Sequence, residues 1–153
     1  MEEIIVKLFI ITILFYLSTV DIRKMTVPNK GTALIFIAGI VLMLTGDKNI
    51  YFYLNGFIIM SVSSIAIALV SKGLGGGDVK LLSALGAGLG AYEALEILAL
   101  SFVMAGIFIF FIRVMSFRNT RFLHLRSKKE IPFVPFIACS AFLIFTENLL
   151  YCL

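Results

Sequence analysis

Six long apolar stretches follow one another along the chain, and only short polar segments separate them. Of the 153 residues, 61% are hydrophobic and only 14% are charged, which is too few charges for the surface of an ordinary soluble domain. A membrane-spanning helix needs about 20 mainly apolar residues. We therefore predict an all-α fold, a polytopic membrane bundle of about six transmembrane helices. The predicted spans are residues 4–20, 31–46, 51–71, 79–95, 97–115 and 132–150.

The polar segments between the spans are too short to form a soluble domain of their own. Residues 1–153 are therefore expected to form a single integral-membrane domain. The chain starts with MEEIIVK, which is acidic where the first part of a signal peptide is basic. The first apolar stretch is thus predicted to be a retained span.

The basic residues are distributed unevenly among the segments that connect the spans. The segments after spans 1, 3 and 5, together with the span ends that adjoin them, hold 11 of the 13 lysines and arginines, and the other two are Lys7 and Lys48. Cytoplasmic loops of membrane proteins carry such an excess. We expect a multi-pass protein of the cytoplasmic membrane with both termini external. The net charge of +4 then reflects topology and contact with lipid headgroups, and no nucleic-acid partner is predicted.

Two of the nine acidic residues, Asp21 and Asp78, are predicted to lie at the same depth in the membrane and on the same side of it. Asp21 ends span 1 and Asp78 begins span 4, so both are expected at the cytoplasmic membrane boundary. Two carboxyl groups at one depth are what general acid and base catalysis requires. Each aspartate also has a structural interpretation: Asp21 as a helix-end partner of Arg23 or Lys24, and Asp78 as the N-cap of span 4.

The sequence offers few other groups for chemistry. The single histidine, His124, lies in a basic segment, and the chain has no CxxC motif and no Cys/His cluster, so neither a metal nor a cofactor is predicted. Cys139 and Cys152 are 13 residues apart in span 6. On a helix that spacing is about 20 Å, which is too long for a disulfide.

A glycine-rich segment precedes Asp78. The sequence SKGLGGGDVKL (residues 71–81) has glycine at four of the five positions from 73 to 77. Its backbone can be approached closely, so we predict that substrate backbone lies there beside Asp78. Binding of an anion by backbone N–H groups is an alternative. Gly86 and Gly90 are predicted to permit close helix packing on span 4.

Three segments resemble those of the type IV prepilin peptidases. DIRKMTVPN (21–29) resembles their D-[LI]-R-x-x-x-[IV]-P-N element, and GGGDVKL (75–81) resembles their GxGDxK element. IPFVPF (131–136) is similar to the start of their final span. The order of these elements is that of the family, and the resemblance extends from span 1 to span 6.

The resemblance implies a membrane aspartyl endopeptidase with Asp21 and Asp78 as the catalytic pair. Its partner would be a prepilin whose hydrophobic segment lies in the bilayer and whose basic leader is cut off at the cytoplasmic face. The matching motif positions imply substrate-binding roles for Gly75, Gly77, Lys80, Pro28 and Asn29.

One departure concerns a second activity. Larger bacterial members carry an N-terminal cysteine-containing domain and also N-methylate the new terminus. This chain starts directly at span 1, so we expect no methyltransferase-type domain and a peptidase similar to those of Flp/Tad pili. An archaeal-type preflagellin peptidase is an alternative within the same family.

In such a pair one carboxylate takes a proton from water and one carboxylic acid donates a proton to the carbonyl oxygen, so the two share one proton. Helix dipoles predict that this proton lies mainly on Asp21, near a helix C-terminus, and that Asp78, at a helix N-terminus, is the base. Two other classes compete with the peptidase: a small proton- or ion-coupled transporter, because such proteins use intramembrane acids, and a non-catalytic assembly subunit.

Overall fold

The computed structural model describes residues 2–45, 48–71, 74–118 and 132–151. The remaining positions include Gly73, His124, Cys152 and most of the basic segment between the last two predicted spans. The expectations placed on those residues lie outside the described part of the chain.

The described residues form six α-helices and no strand, which confirms the predicted all-α bundle. Three of these helices, α1, α3 and α5, are long and apolar enough to cross a membrane, whereas α2 and α6 are shorter apolar helices. The 14 residues of α4 reach about 21 Å, less than the bilayer core. The helices are α1 (Glu2–Lys24), α2 (Asn29–Thr45), α3 (Ile50–Ser71), α4 (Gly76–Leu89), α5 (Ala91–Arg118) and α6 (Val134–Tyr151).

The short helix α4 lies at the centre of the bundle. It packs against α2, α3 and α5, while α6 packs against α1 and α5. Leu81, Leu82 and Leu85 of α4 are almost completely buried, and most other side chains of the helix are buried as well. The outer helices instead expose large apolar side chains, such as Val62 and Phe110. This distribution fits a bundle that is surrounded by lipid, with α4 shielded by its neighbours.

Glycines allow α4 to approach α2 and α3 closely. A Cβ atom built on Gly39 of α2 would lie 2.8 Å from the Cα atom of Gly88, and one built on Gly86 would overlap the carbonyl oxygen of Gly56 and the side chain of Met60. The backbones of these helices are therefore in direct contact. The packing role predicted for Gly86 is confirmed.

The boundary between the fourth and fifth helices differs from the prediction. Spans 79–95 and 97–115 were expected, but α4 ends at Leu89 and α5 begins at Ala91. Gly90 between them has a φ of 85°, a conformation that favours glycine, and the ring of Phe52 fills the space that a side chain would need. Gly90 was predicted to serve packing within a helix. Instead it ends one, and the apolar pattern on both sides of Gly90 hides this break.

An ion pair lies near the opposite end of the bundle from Asp21. Lys7 Nζ is 3.0 Å from Glu93 Oε1, both side chains are mostly buried, and Lys7 also lies over the ring of Phe145. Lys7 precedes Asp21 by 14 residues in α1, which corresponds to about 21 Å. The bundle thus has two polar levels, with the ion pair at one and Asp21 at the other.

Candidate active site

Asp21 lies in the last turn of α1 and is only 5% exposed. Its Oδ2 accepts a hydrogen bond of 3.2 Å from the backbone N–H of Val134, the first residue of α6. Arg23 and Lys24 are exposed on the outside of the helix. The carboxyl group therefore faces the start of α6, away from the basic side chains considered as its partners.

Asp78 is the third residue of α4 and is 9% exposed. The sequence predicted Asp78 as a possible N-cap of this helix, but Gly75 occupies the N-cap position. Asp78 instead accepts a hydrogen bond on Oδ2 from the backbone N–H of Gly75, at 3.3 Å. Its other oxygen, Oδ1, is buried and has no hydrogen-bond partner within the described residues. A buried carboxyl oxygen without a partner is costly in a structural role and available for chemistry.

The two carboxyl groups influence each other. Burial raises the pKa of Asp78 to about 6, the negative charge of Asp21 adds to this rise, and the hydrogen bond from Gly75 opposes it. The structure thus brings the two aspartates within electrostatic reach, although 57 residues separate them in the sequence. Such a pair holds one proton between its two carboxyl groups over a range of pH, as acid and base catalysis requires.

The predicted substrate-binding positions lie on two elements, the start of α4 and the start of α2. Gly75 and Lys80 are exposed at the start of α4, and Asn29 is exposed as the first residue of α2. Pro28 is half-buried, and its carbonyl oxygen accepts a hydrogen bond of 3.0 Å from the N–H of Gly31, which starts α2. Their binding roles stay predictions.

Gly77 lies against the segment that joins α1 to α2. A Cβ atom on Gly77 would lie 2.9 Å from Val27 Cβ and 3.2 Å from Val27 Cγ2, whereas one on Gly76 would meet nothing within 4 Å. The close approach at Gly77 is thus made by the protein itself. It brings the first turn of α4, with Asp78, against the segment that follows Asp21.

We expect Gly77→Ala to lower the peptide cleavage predicted for this carboxyl pair by about tenfold or more, because the added methyl group must push Val27 away and move Asp78 relative to Asp21. The control is Gly76→Ala, which has open space and should keep nearly full activity. Cleavage is measured at equal amounts of membrane-inserted protein. Equal activity of the two variants would show that the contact with Val27 does not position the site.

Two features of the site were not found from the sequence. The hydrogen bond from Val134 uses a backbone group, which no residue type reveals. The available signal was the pair of prolines in IPFVPF, because proline is frequent where a helix begins. The second feature is Met25, whose φ of 54° ends α1, with its N–H bonded to the carbonyl oxygen of Asp21.

Comparison with known proteins adds to this geometry. Residues 8–110 match the type IV leader peptidase family. The chain is 34% identical over 109 residues to the prepilin leader peptidase/N-methyltransferase of Vibrio cholerae serotype O1. That alignment covers 67% of this chain and 43% of the relative, so the chain spans less than half of the relative's length. No solved structure matches the chain.

Proposed function

The chain belongs to the type IV leader peptidase family, and on this basis we propose that it is an aspartic endopeptidase that removes the leader from type IV prepilins. The observation that carries the proposal is the buried carboxyl pair of Asp21 and Asp78. Both residues lie inside the region that matches the family.

The proposed reaction is hydrolysis by a shared-proton carboxyl pair. The ionised carboxylate removes a proton from water as the water attacks the scissile carbonyl carbon. The protonated carboxyl group donates its proton to the carbonyl oxygen, which gives a neutral tetrahedral intermediate. Collapse of this intermediate, with a proton delivered to the leaving amine, releases the leader and the new N-terminus. The partly buried setting supports this mechanism, because low polarity strengthens the coupling between the two groups.

The proposed substrate is a prepilin with a basic leader next to a hydrophobic segment. The hydrophobic segment would lie in the bilayer. The exposed backbone at Gly75, beside Asp78, is available to the backbone of the substrate. Within the family we favour prepilins of Flp/Tad-type pili, with an archaeal-type preflagellin as the alternative. The proposed activity is cleavage alone, without N-methylation of the product.

The site is proposed to face the cytoplasm, with both termini external. The uneven distribution of the basic residues supports this orientation. A cysteine placed at Thr26 in a Cys139→Ser/Cys152→Ser background should react in intact cells only with a membrane-permeant thiol reagent. Reaction with an impermeant reagent from outside would reverse the orientation and the placement of the site.

Co-expression with a Flp-type prepilin tests the proposed function directly. We expect leader loss that depends on this chain, and mass spectrometry of the product should show an unmethylated new N-terminus. A proton-coupled transporter would leave the prepilin intact and would produce proton uptake in liposomes. If neither Flp-type prepilins nor preflagellins lose their leader, the peptidase proposal is wrong.

A further inference from the structure

The start of α6 is arranged to hold a carboxylate. Residue Phe133 occupies the N-cap position, because its carbonyl oxygen accepts hydrogen bonds from the N–H groups of Phe136 and Ile137. Pro135 has no N–H group. The N–H of Val134 is therefore left free of the helix and donates to Asp21 Oδ2 at 3.2 Å. Helix N-termini favour negative charge for this reason.

Asp78 has a different environment. Its Oδ2 receives one longer hydrogen bond, of 3.3 Å, from Gly75, and its Oδ1 is buried without a partner in the described residues. Ionisation would place negative charge on that unpaired oxygen, and no described residue donates a hydrogen bond to it. A proton on Asp78 removes this cost.

Within the described part of the chain, the other charged groups at this end do not reverse the difference between Asp21 and Asp78. Asp78, on α4, is the acidic group that interacts electrostatically with Asp21. The remaining titratable groups with described side chains at this end of α1, α2, α4 and α5 are exposed, so solvent screens their charges: Arg23, Lys24, Lys30, Lys80 and Arg113. On α6, the exposed Cys139 lies more than one turn from Val134, and the exposed Glu147 lies about 20 Å away.

We propose that the start of α6 is a positioning element that holds Asp21 as the ionised member of the pair, through the backbone N–H of Val134, and leaves the shared proton on Asp78. Asp21 is then the general base toward water and Asp78 is the acid. This reverses the assignment expected from the dipoles of α1 and α4 alone, because the third helix supplies a direct hydrogen bond. The inference rests on the proposed peptidase function.

Val134→Pro removes the N–H donor with little change to the helix, because proline is favoured at the first helical position. We expect cleavage to slow by up to about tenfold, and only on the acid side of the pH–rate profile. The acid limb of the pH–rate profile should move up by about one unit, since a carboxylate without its donor is harder to ionise. The alkaline limb, which the proposal assigns to loss of the proton from Asp78, should stay near its wild-type position.

Val134→Ala is the matched control. It keeps the N–H group and removes two methyl groups from a fully buried side chain, so thermal stability should fall, and any loss of rate should be uniform across pH without movement of the acid limb. A wild-type profile in Val134→Pro would overturn the inference but leave the peptidase proposal intact. An inactive wild type would instead overturn the peptidase proposal.

A second measurement needs neither activity nor the proline variant. Infrared spectra of the membrane-inserted protein at pH 5 should contain a protonated-carboxyl band from the pair. This band should be lost in Asp78→Asn and kept in Asp21→Asn. The opposite result would place the resting proton on Asp21 and overturn the inference even if Val134→Pro does not fold.

Discussion

Replacement of either Asp21 or Asp78 by asparagine is expected to abolish leader cleavage, with a loss of at least about 100-fold for each variant. An amide cannot remove a proton from water and cannot serve as the carboxylic acid that protonates the carbonyl oxygen. Because the two residues act as one unit, the double variant should be no slower than either single variant. The measurement is leader loss from a co-expressed prepilin at equal amounts of inserted protein.

Stability distinguishes a catalytic role from a structural one. The pKa of Asp78 in the folded protein, about 6, is above the ordinary value of 3.8, so ionisation increasingly destabilises the folded state as pH rises through this interval. Asp78→Asn avoids that cost and should unfold at a higher temperature than the wild type above pH 6. At pH 4 most of this advantage should be absent.

The control for both substitutions is Glu147→Gln, which neutralises an exposed acid near the other end of α6 and should cleave normally. Cleavage that survives Asp21→Asn or Asp78→Asn would contradict the catalytic pair. Loss of inserted protein in Asp78→Asn would instead indicate a structural role for that carboxyl group.

Gly86→Ala is expected to prevent correct assembly of the bundle. The added methyl group would overlap the carbonyl oxygen of Gly56 and the side chain of Met60, so α3 and α4 would have to separate. Overpacking of a tight interface costs about 1–3 kcal/mol, and this contact involves backbone, which cannot move aside by changing a rotamer. We expect a large fall in the thermal unfolding temperature in detergent, with loss of activity as a consequence.

Gly106→Ala provides the comparison. Gly106 also lies inside a helix, but a Cβ atom there would meet nothing within 4 Å. Both variants gain about 1 kcal/mol of helix propensity, so the difference between their unfolding temperatures reports on the contact between the helices. Equal unfolding temperatures for Gly86→Ala and Gly106→Ala would show that the interface between α3 and α4 is not tightly packed.

The composition and order of the sequence determined the class of fold and the candidate pair. Apolar stretches of membrane-spanning length predict an α-helical bundle because a lipid environment leaves backbone groups no partners outside the helix. Asp21 and Asp78 were identifiable because a carboxyl group beside an apolar stretch is costly and needs a reason. The motifs around both residues then predicted the family, which the comparisons confirm.

The tertiary structure decided where the fourth helix ends and which groups surround the carboxyls. Gly90 breaks the chain within an uninterrupted apolar pattern, because a positive φ depends on backbone conformation and leaves no trace in hydropathy. The contact of Gly77 with Val27 and the hydrogen bond from Val134 to Asp21 join segments that are 50 and 113 residues apart. Sequence patterns report the preferences of neighbouring residues, whereas the charge of a buried carboxyl group depends on donors that only tertiary packing brings to it, as the packing of α6 on α1 does for Asp21.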